Sequence, residues 1–122
     1  MNLSFSNHEK LKSRKVIEQL FSEGKSISKF PIKLFYLPLE EASVHQAAFA
    51  VPKRNFKLAI TRNRIKRQLR EAYRLHKHML SDENGRKFAL LFLYIGKEKP
   101  QYVRLESSVS KLLKEMLIKA TT

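Results

Sequence analysis

Cysteine is absent from this chain of 122 residues, which removes disulfide frameworks, cysteine-ligated zinc and thiol nucleophiles together. A reducing cytosol fits that absence. Acids are scarce: 11 Asp and Glu stand against 25 Lys and Arg, for a formal charge of +14. Long apolar runs are also missing. The longest, Phe88 to Ile95, is eight residues, well short of the roughly 18 to 20 needed to cross a bilayer. Near the N-terminus Leu3 and Phe5 are isolated and charges follow at once, so no signal-peptide apolar segment is read there. A cytoplasmic location is expected.

Catalytic motifs are missing too. There is no HExxH, Gly-rich phosphate loop or Ser-His-Asp order. Glu40 and Glu41 are adjacent and diverge in any regular element, which makes them a poor acid/base pair. His76 and His78 stand two apart on a helical stretch, where side chains do not face each other, and no carboxylate or cysteine completes a metal set. His8 and His45 fall in polar segments expected to be mobile. Neither a protein-borne hydrolytic centre nor a protein metal site is expected.

What remains is a chain of single-domain size with 43% hydrophobic residues, enough for one core. Residues 1–122 are read as one RNA-binding domain, with 1–12 loosely ordered. Helical spacing of Val16, Ile17, Leu20 and Phe21 follows Ser13, and Gly24 suits the C′ position that closes such a helix. Pro31 opens an extended segment, Ile32 to Leu37, which Pro38 is expected to end. Residues 39–46 connect it to a second strand, Ala47 to Val51, stopped by Pro52. A long helix is read from Ile60 to Leu80, with Asn84-Gly85 marking a turn after it. Phe88 to Ile95 is apolar throughout, the mark of a central strand covered on both faces. Leu105, Val109, Leu112, Leu113, Met116 and Leu117 define a final amphipathic helix. The order is α-β-β-(β)-α-β-α, an α+β fold in which helices pack on one small sheet as a two-layer sandwich.

Charge is unevenly spread. Lys53 to Lys77 holds ten basic residues and a single acid, Glu71. At about 100° per residue from Ile65, the positions of Leu69, Ala72, Tyr73, His76, Met79 and Leu80 cluster within roughly 80°. Asn63, Lys66, Arg67, Arg70, Arg74 and Lys77 fall on the opposite side, and Arg62 and Arg64 flank the first turn. One side is built for a core and the other is almost purely cationic. Arginine predominates, and its planar fork grips phosphate in two places and stacks on bases. A polyanion partner follows. DNA readout usually adds Asn, Gln or Ser facing the bases, and only Asn63 and Gln68 qualify, so a shaped RNA fits better than DNA.

The run Arg62-Asn63-Arg64-Ile65-Lys66-Arg67-Gln68-Leu69-Arg70-Glu71-Ala72 resembles the signature of the protein subunit of bacterial ribonuclease P. Upstream, Phe49-Ala50-Val51-Pro52-Lys53-Arg54 looks like that family's strand ending in two basic residues. Similarity extends over most of the chain, including the early helix ending at Gly24 and the strand Lys33 to Leu37. The resemblance implies an endonuclease that removes the 5′ leader from precursor tRNA, in which a large RNA subunit performs Mg²⁺-dependent hydrolysis and the protein binds RNA and leader. By residue match Arg62, Asn63, Arg64, Lys66, Arg67 and Arg70 face the RNA subunit, and the cationic side of the helix adds Arg74. Lys53, Arg54 and Lys57 are assigned to the edge of the leader cleft, and Phe21 and Phe35 match its aromatic positions. The resemblance also implies a left-handed crossover between the strands flanking the motif helix. Expected partners are the RNA subunit and precursor tRNA, not a membrane or DNA, and no cofactor is assigned to the protein itself. Two departures stand out. Ile17 occupies a position where many relatives carry an aromatic, and the loop Asn55 to Leu58 has no glycine.

Other readings compete at several positions. Phe21 and Phe35 could pack in the core instead of touching a ligand, and Lys53 and Arg54 could be ordinary strand-end charges. Tyr73 and His76 fit packing. As a class, a structural RNA-binding protein such as a ribosomal protein explains the charge and the helix but not the motif. A peripheral membrane protein would need bulky apolar residues facing outward on the basic helix, and these are absent.

Overall fold

Ser13 starts the first helix as its cap, its side-chain oxygen accepting from the Val16 N–H at 3.3 Å. The elements of the computed structural model, which describes residues 5–40, 42–80 and 86–121, follow from there. They are α1 (Arg14–Glu23), β1 (Lys25–Lys29), β2 (Ile32–Leu39), β3 (Gln46–Ala50), α2 (Ala59–His76), β4 (Lys87–Tyr94) and α3 (Tyr102–Thr121). Short 3₁₀ turns precede α1 (Asn7–Glu9) and extend α2 (Lys77–Leu80). The sheet order is β1-β2-β4-β3, with β3 parallel to β4 and the other pairs antiparallel. β3, α2 and β4 thus form the β-α-β crossover. The expected α+β sandwich is present, with β4 central and apolar as read.

Alternation along the strands separates two cores. Ile32, Leu34 and Tyr36 of β2, Ala47 of β3, and Phe88, Leu90, Phe92 and Tyr94 of β4 face α2 and α3. There they meet Ile65, Leu69, Ala72 and Tyr73 of α2 and Leu105, Val109, Leu112, Leu113 and Met116 of α3. Burial pushes the Tyr73 phenol well up from its ordinary range, with the charge of Glu9 adding to the effect. On the opposite face Phe35, Leu37, Ala48, Ala50, Ala89 and Leu91 lie with Leu11 and with Val16, Ile17 and Leu20 of α1.

Several expectations change. β1 was allowed for without being placed, because Lys-Ser-Ile-Ser-Lys carries one apolar residue; Ile27 alone turns inward. Pro38 does not end β2, which continues to Leu39. β1 pairs only as far as Tyr36, and Phe88, opposite Pro38, turns its N–H away to His45. The missing donor of Pro38 therefore costs no ladder bond. Gly24 closes α1 in extended backbone at φ −69° instead of the left-handed C′ conformation. It is needed because a Cβ there would collide with the Leu20 carbonyl oxygen.

Residues 5–12 are docked, not loose. The Leu11 N–H donates to the Ala47 carbonyl at 2.9 Å, and Phe5 packs edge-on against Phe49 and Tyr73, each at 5.9 Å. His45 is no mobile surface histidine either. Its Nε2 lies 2.8 Å from the Leu80 carbonyl oxygen and its Nδ1 accepts from the Phe88 N–H at 3.0 Å. That pairing makes Nε2 the protonated nitrogen and ties the end of α2 to the start of β4. The turn read at Asn84-Gly85 lies outside the described residues.

Candidate nucleic-acid interface

The 3.6-residue period of α2 buries Ile65, Leu69, Ala72 and Tyr73 and leaves Asn63, Arg64, Arg67 and Arg70 exposed, with Lys66 half-buried. Two cations expected on that face are engaged within the chain. Arg74 donates from Nε to Glu71 at 3.1 Å, and the resulting hydrogen bond holds the Glu71 carboxyl below its ordinary range. Lys77 reaches Glu9 at 2.6 Å. His76, on the core-facing side as expected, meets Glu106 of α3 at 3.0 Å. The cationic surface is therefore Arg64, Arg67 and Arg70, with Lys66 and Asn63 beside them.

At the start of α2, Leu58 supplies no side-chain cap and the first turn holds no acid. The positive end of the helix dipole meets Arg62 and Arg64 there. That arrangement repels itself in the free chain and favours an incoming anion. Arg62 does something the sequence did not show. Its Nη1 donates to the carbonyls of Phe56 at 2.7 Å and Lys57 at 2.9 Å. It clamps the loop between β3 and α2, which presents exposed Lys53 and Arg54 in a turn closed by the Asn55 N–H on the Pro52 carbonyl.

Arg62 and Arg64 should therefore separate in a stability measurement. Arg62→Ala is expected to lose roughly 1 to 3 kcal/mol in chemical denaturation, because it removes charge-assisted bonds to two carbonyls. Arg64→Ala should stay within about 0.5 kcal/mol, as exposed substitutions do. If both variants were equally stable, the clamp would contribute nothing.

On the α1 face, Phe21 is 52% exposed and meets Phe35 edge-on at 5.0 Å. The Lys33 ammonium stands over the Phe35 ring at 5.1 Å. Register places Phe35, Leu91 and Ala48 in one row across the sheet and Lys33, Leu93 and Ala50 in the next. These rows lie beside α1, where the resemblance puts the leader cleft. Lys53 and Arg54 are exposed and follow the end of β3, beyond the row of Lys33 and Ala50. The ammonium of Lys57 is exposed, and it is the Lys57 carbonyl that is tied into the site. Lys33 was missed by sequence reading, although its place two residues before Phe35 puts both on one side of β2.

Among the described residues, no three His, Asp or Glu side chains come together in a set that could hold a metal ion. No helix among them is long and apolar enough to cross a membrane. The site is thus a cationic helix, a clamped basic loop and an aromatic pair under a lysine on a small α+β sandwich, the features of a nucleic-acid-binding protein.

Comparison with known proteins narrows this class. The family described as Ribonuclease P matches residues 5–117. The ribonuclease P protein component of Porphyromonas gingivalis ATCC 33277 is 35% identical over 88% of this chain and 82% of its own. That of Chlorobium phaeobacteroides is 34% identical over 98% and 92%. The solved RNase P protein of Thermotoga maritima superposes with a TM-score of 0.72 at 22% identity, covering 88% of this chain and 96% of that one. The Staphylococcus aureus protein gives 0.69 at 17% identity, covering 88% and 94%. The two structures establish the likeness of fold. This chain belongs to the ribonuclease P protein family, the accessory protein subunit of a tRNA-processing endoribonuclease. The matches lend no support to a ribosomal protein.

Proposed function

We propose that the exposed side of α2 anchors the catalytic RNA subunit, while the cleft beside α1 receives the 5′ leader of precursor tRNA. The observation that carries this reading is the segregation on α2. Arg64, Arg67 and Arg70 project from a helix whose other side is core, so they meet phosphate without disturbing the fold. The cleft suits a single strand, because an aromatic pair accepts a base and the lysines around it face the backbone. This chain's own residues bind and position. Phosphodiester hydrolysis and the Mg²⁺ it requires belong to the RNA subunit in this reading, and among the described residues no carboxylate set fits that ion. The compartment implied is the cytoplasm, and neither DNA nor a membrane is a partner.

Reconstitution tests it. The purified chain added to a bacterial ribonuclease P RNA at near-physiological Mg²⁺ should restore 5′ processing of precursor tRNA, whereas the chain alone should cleave nothing. Absence of stimulation would overturn the accessory role. Specific processing by the chain alone, surviving nuclease-free controls, would place catalysis in the protein instead.

A further inference from the structure

A pocket lies away from the Phe21–Phe35 pair, on the α3 side of the sheet, between the β1–β2 turn and the β4–α3 loop. It encloses about 600 Å³ and is lined by Phe30, Pro31, Tyr94, Lys97, Lys99 and Arg104 among others. That volume is within the ordinary range for a small-ligand site. Its walls are held by three hydrogen bonds, one of them from the lining Tyr94 hydroxyl. The Ile95 N–H donates to the Pro31 carbonyl at 2.7 Å, and the Ser108 hydroxyl donates to the Phe30 carbonyl at 3.2 Å. The Tyr94 hydroxyl donates to the Glu98 carbonyl at 2.6 Å. Gly96 lets the loop close, since a Cβ there would come within 2.9 Å of that hydroxyl.

The backbone of Phe30 is thus fixed while its ring stays 68% exposed. Around it Lys97, Lys99 and Arg104 are exposed and Glu98 is the one acid in the lining. An exposed ring on a fixed backbone beside three cations has the chemistry of a base-stacking platform with phosphate contacts. The pocket adjoins the loop that Arg62 clamps. Tyr94 packs against Phe56 at 5.9 Å, and the carbonyl of Phe56 is one that Arg62 clamps. The pocket lies on the α2 and α3 side of the sheet, whereas a strand against Phe21 and Phe35 lies on the other face.

We propose that this pocket takes one unpaired nucleotide of the catalytic RNA subunit, its base on the Phe30 ring and its phosphate among Lys97, Lys99 and Arg104. The proposal rests on the reading that α2 binds that RNA. The test measures binding of ribonuclease P RNA by full-chain variants whose thermal melting matches the parent. Phe30→Ala should weaken binding at least about fivefold, the lower end for a stacked base. Phe30→Leu should do the same, since it keeps apolar bulk without a π face, and Phe30→Trp should restore affinity. Lys97→Glu with Lys99→Glu should weaken binding and flatten its salt dependence more than Lys111→Glu with Lys114→Glu, exposed positions further along α3. Parent affinity in Phe30→Leu, or equal effects of the two lysine pairs, would overturn the pocket while leaving the α2 reading intact. If Arg67→Glu with Arg70→Glu also left binding unchanged, the α2 reading itself would fall, and the pocket with it.

Discussion

Reversing Arg67 and Arg70 to glutamate is expected to weaken binding of the RNA subunit roughly 100-fold or more, at about 1.5 kcal/mol for each charge-assisted hydrogen bond to phosphate that is removed. Both residues are exposed on α2, turned away from Ile65, Leu69 and Ala72, so melting should shift by no more than about 0.5 kcal/mol allows. The slope of log K against log salt should become shallower by roughly 0.7 to 0.9 for each phosphate no longer neutralised. Arg74 is a poorer target than its sequence position implies, because Glu71 already holds its guanidinium. Arg74→Ala should therefore cost less affinity than Arg70→Ala. Reversal at Lys111 and Lys114 serves as the control. Equal effects at the two pairs would reduce the interaction to diffuse attraction by a protein of charge +14.

The second large effect is expected in the cleft. Replacing Phe21 and Phe35 together by alanine should narrow the preference for precursor over mature tRNA by at least about fivefold, since a stacked base contributes roughly 1 to 3 kcal/mol. The two rings also support each other at 5.0 Å, a contact of about 0.5 to 1.5 kcal/mol beyond burial. Some loss of stability is therefore part of the expected result. It stays small because Phe21 is half exposed, and circular dichroism with thermal melting reports whether the fold survives. Equal weakening for both RNAs, with the fold intact, would make the pair a packing contact only. Lys33→Ala separates the readings further: it leaves the rings in contact but removes the ammonium over Phe35, and should lower leader binding alone.

Elements with strong periodicity are legible from the residues themselves. The 3.6-residue pattern of α2 and the unbroken apolar run of β4 need only their own residues to be recognised. β1 has neither signal. It forms because β2 offers a free edge and Ile27 finds the core, both consequences of tertiary packing. His45 was misread for the same reason: its two partners, Leu80 and Phe88, are 35 and 43 residues away. Residues 5–12 looked polar and loose, yet Leu11 and Phe5 are held by β3 and α2, which no local pattern announces.

The interface divides along the same line. The sequence alone determined that one side of α2 is core and the other cationic, because helical periodicity is local and charge is carried by residue type. It also determined, through the Arg-Asn-Arg block, which family to look toward. Only the tertiary structure decided which of those cations face solvent. Lys77 lies against Glu9, 68 residues earlier, and Arg62 turns back onto the loop before it, leaving Arg64, Arg67 and Arg70 as the exposed arginines. An ion pair or a clamp depends on distances between elements, and those distances exist only once sheet and helices have packed around one core.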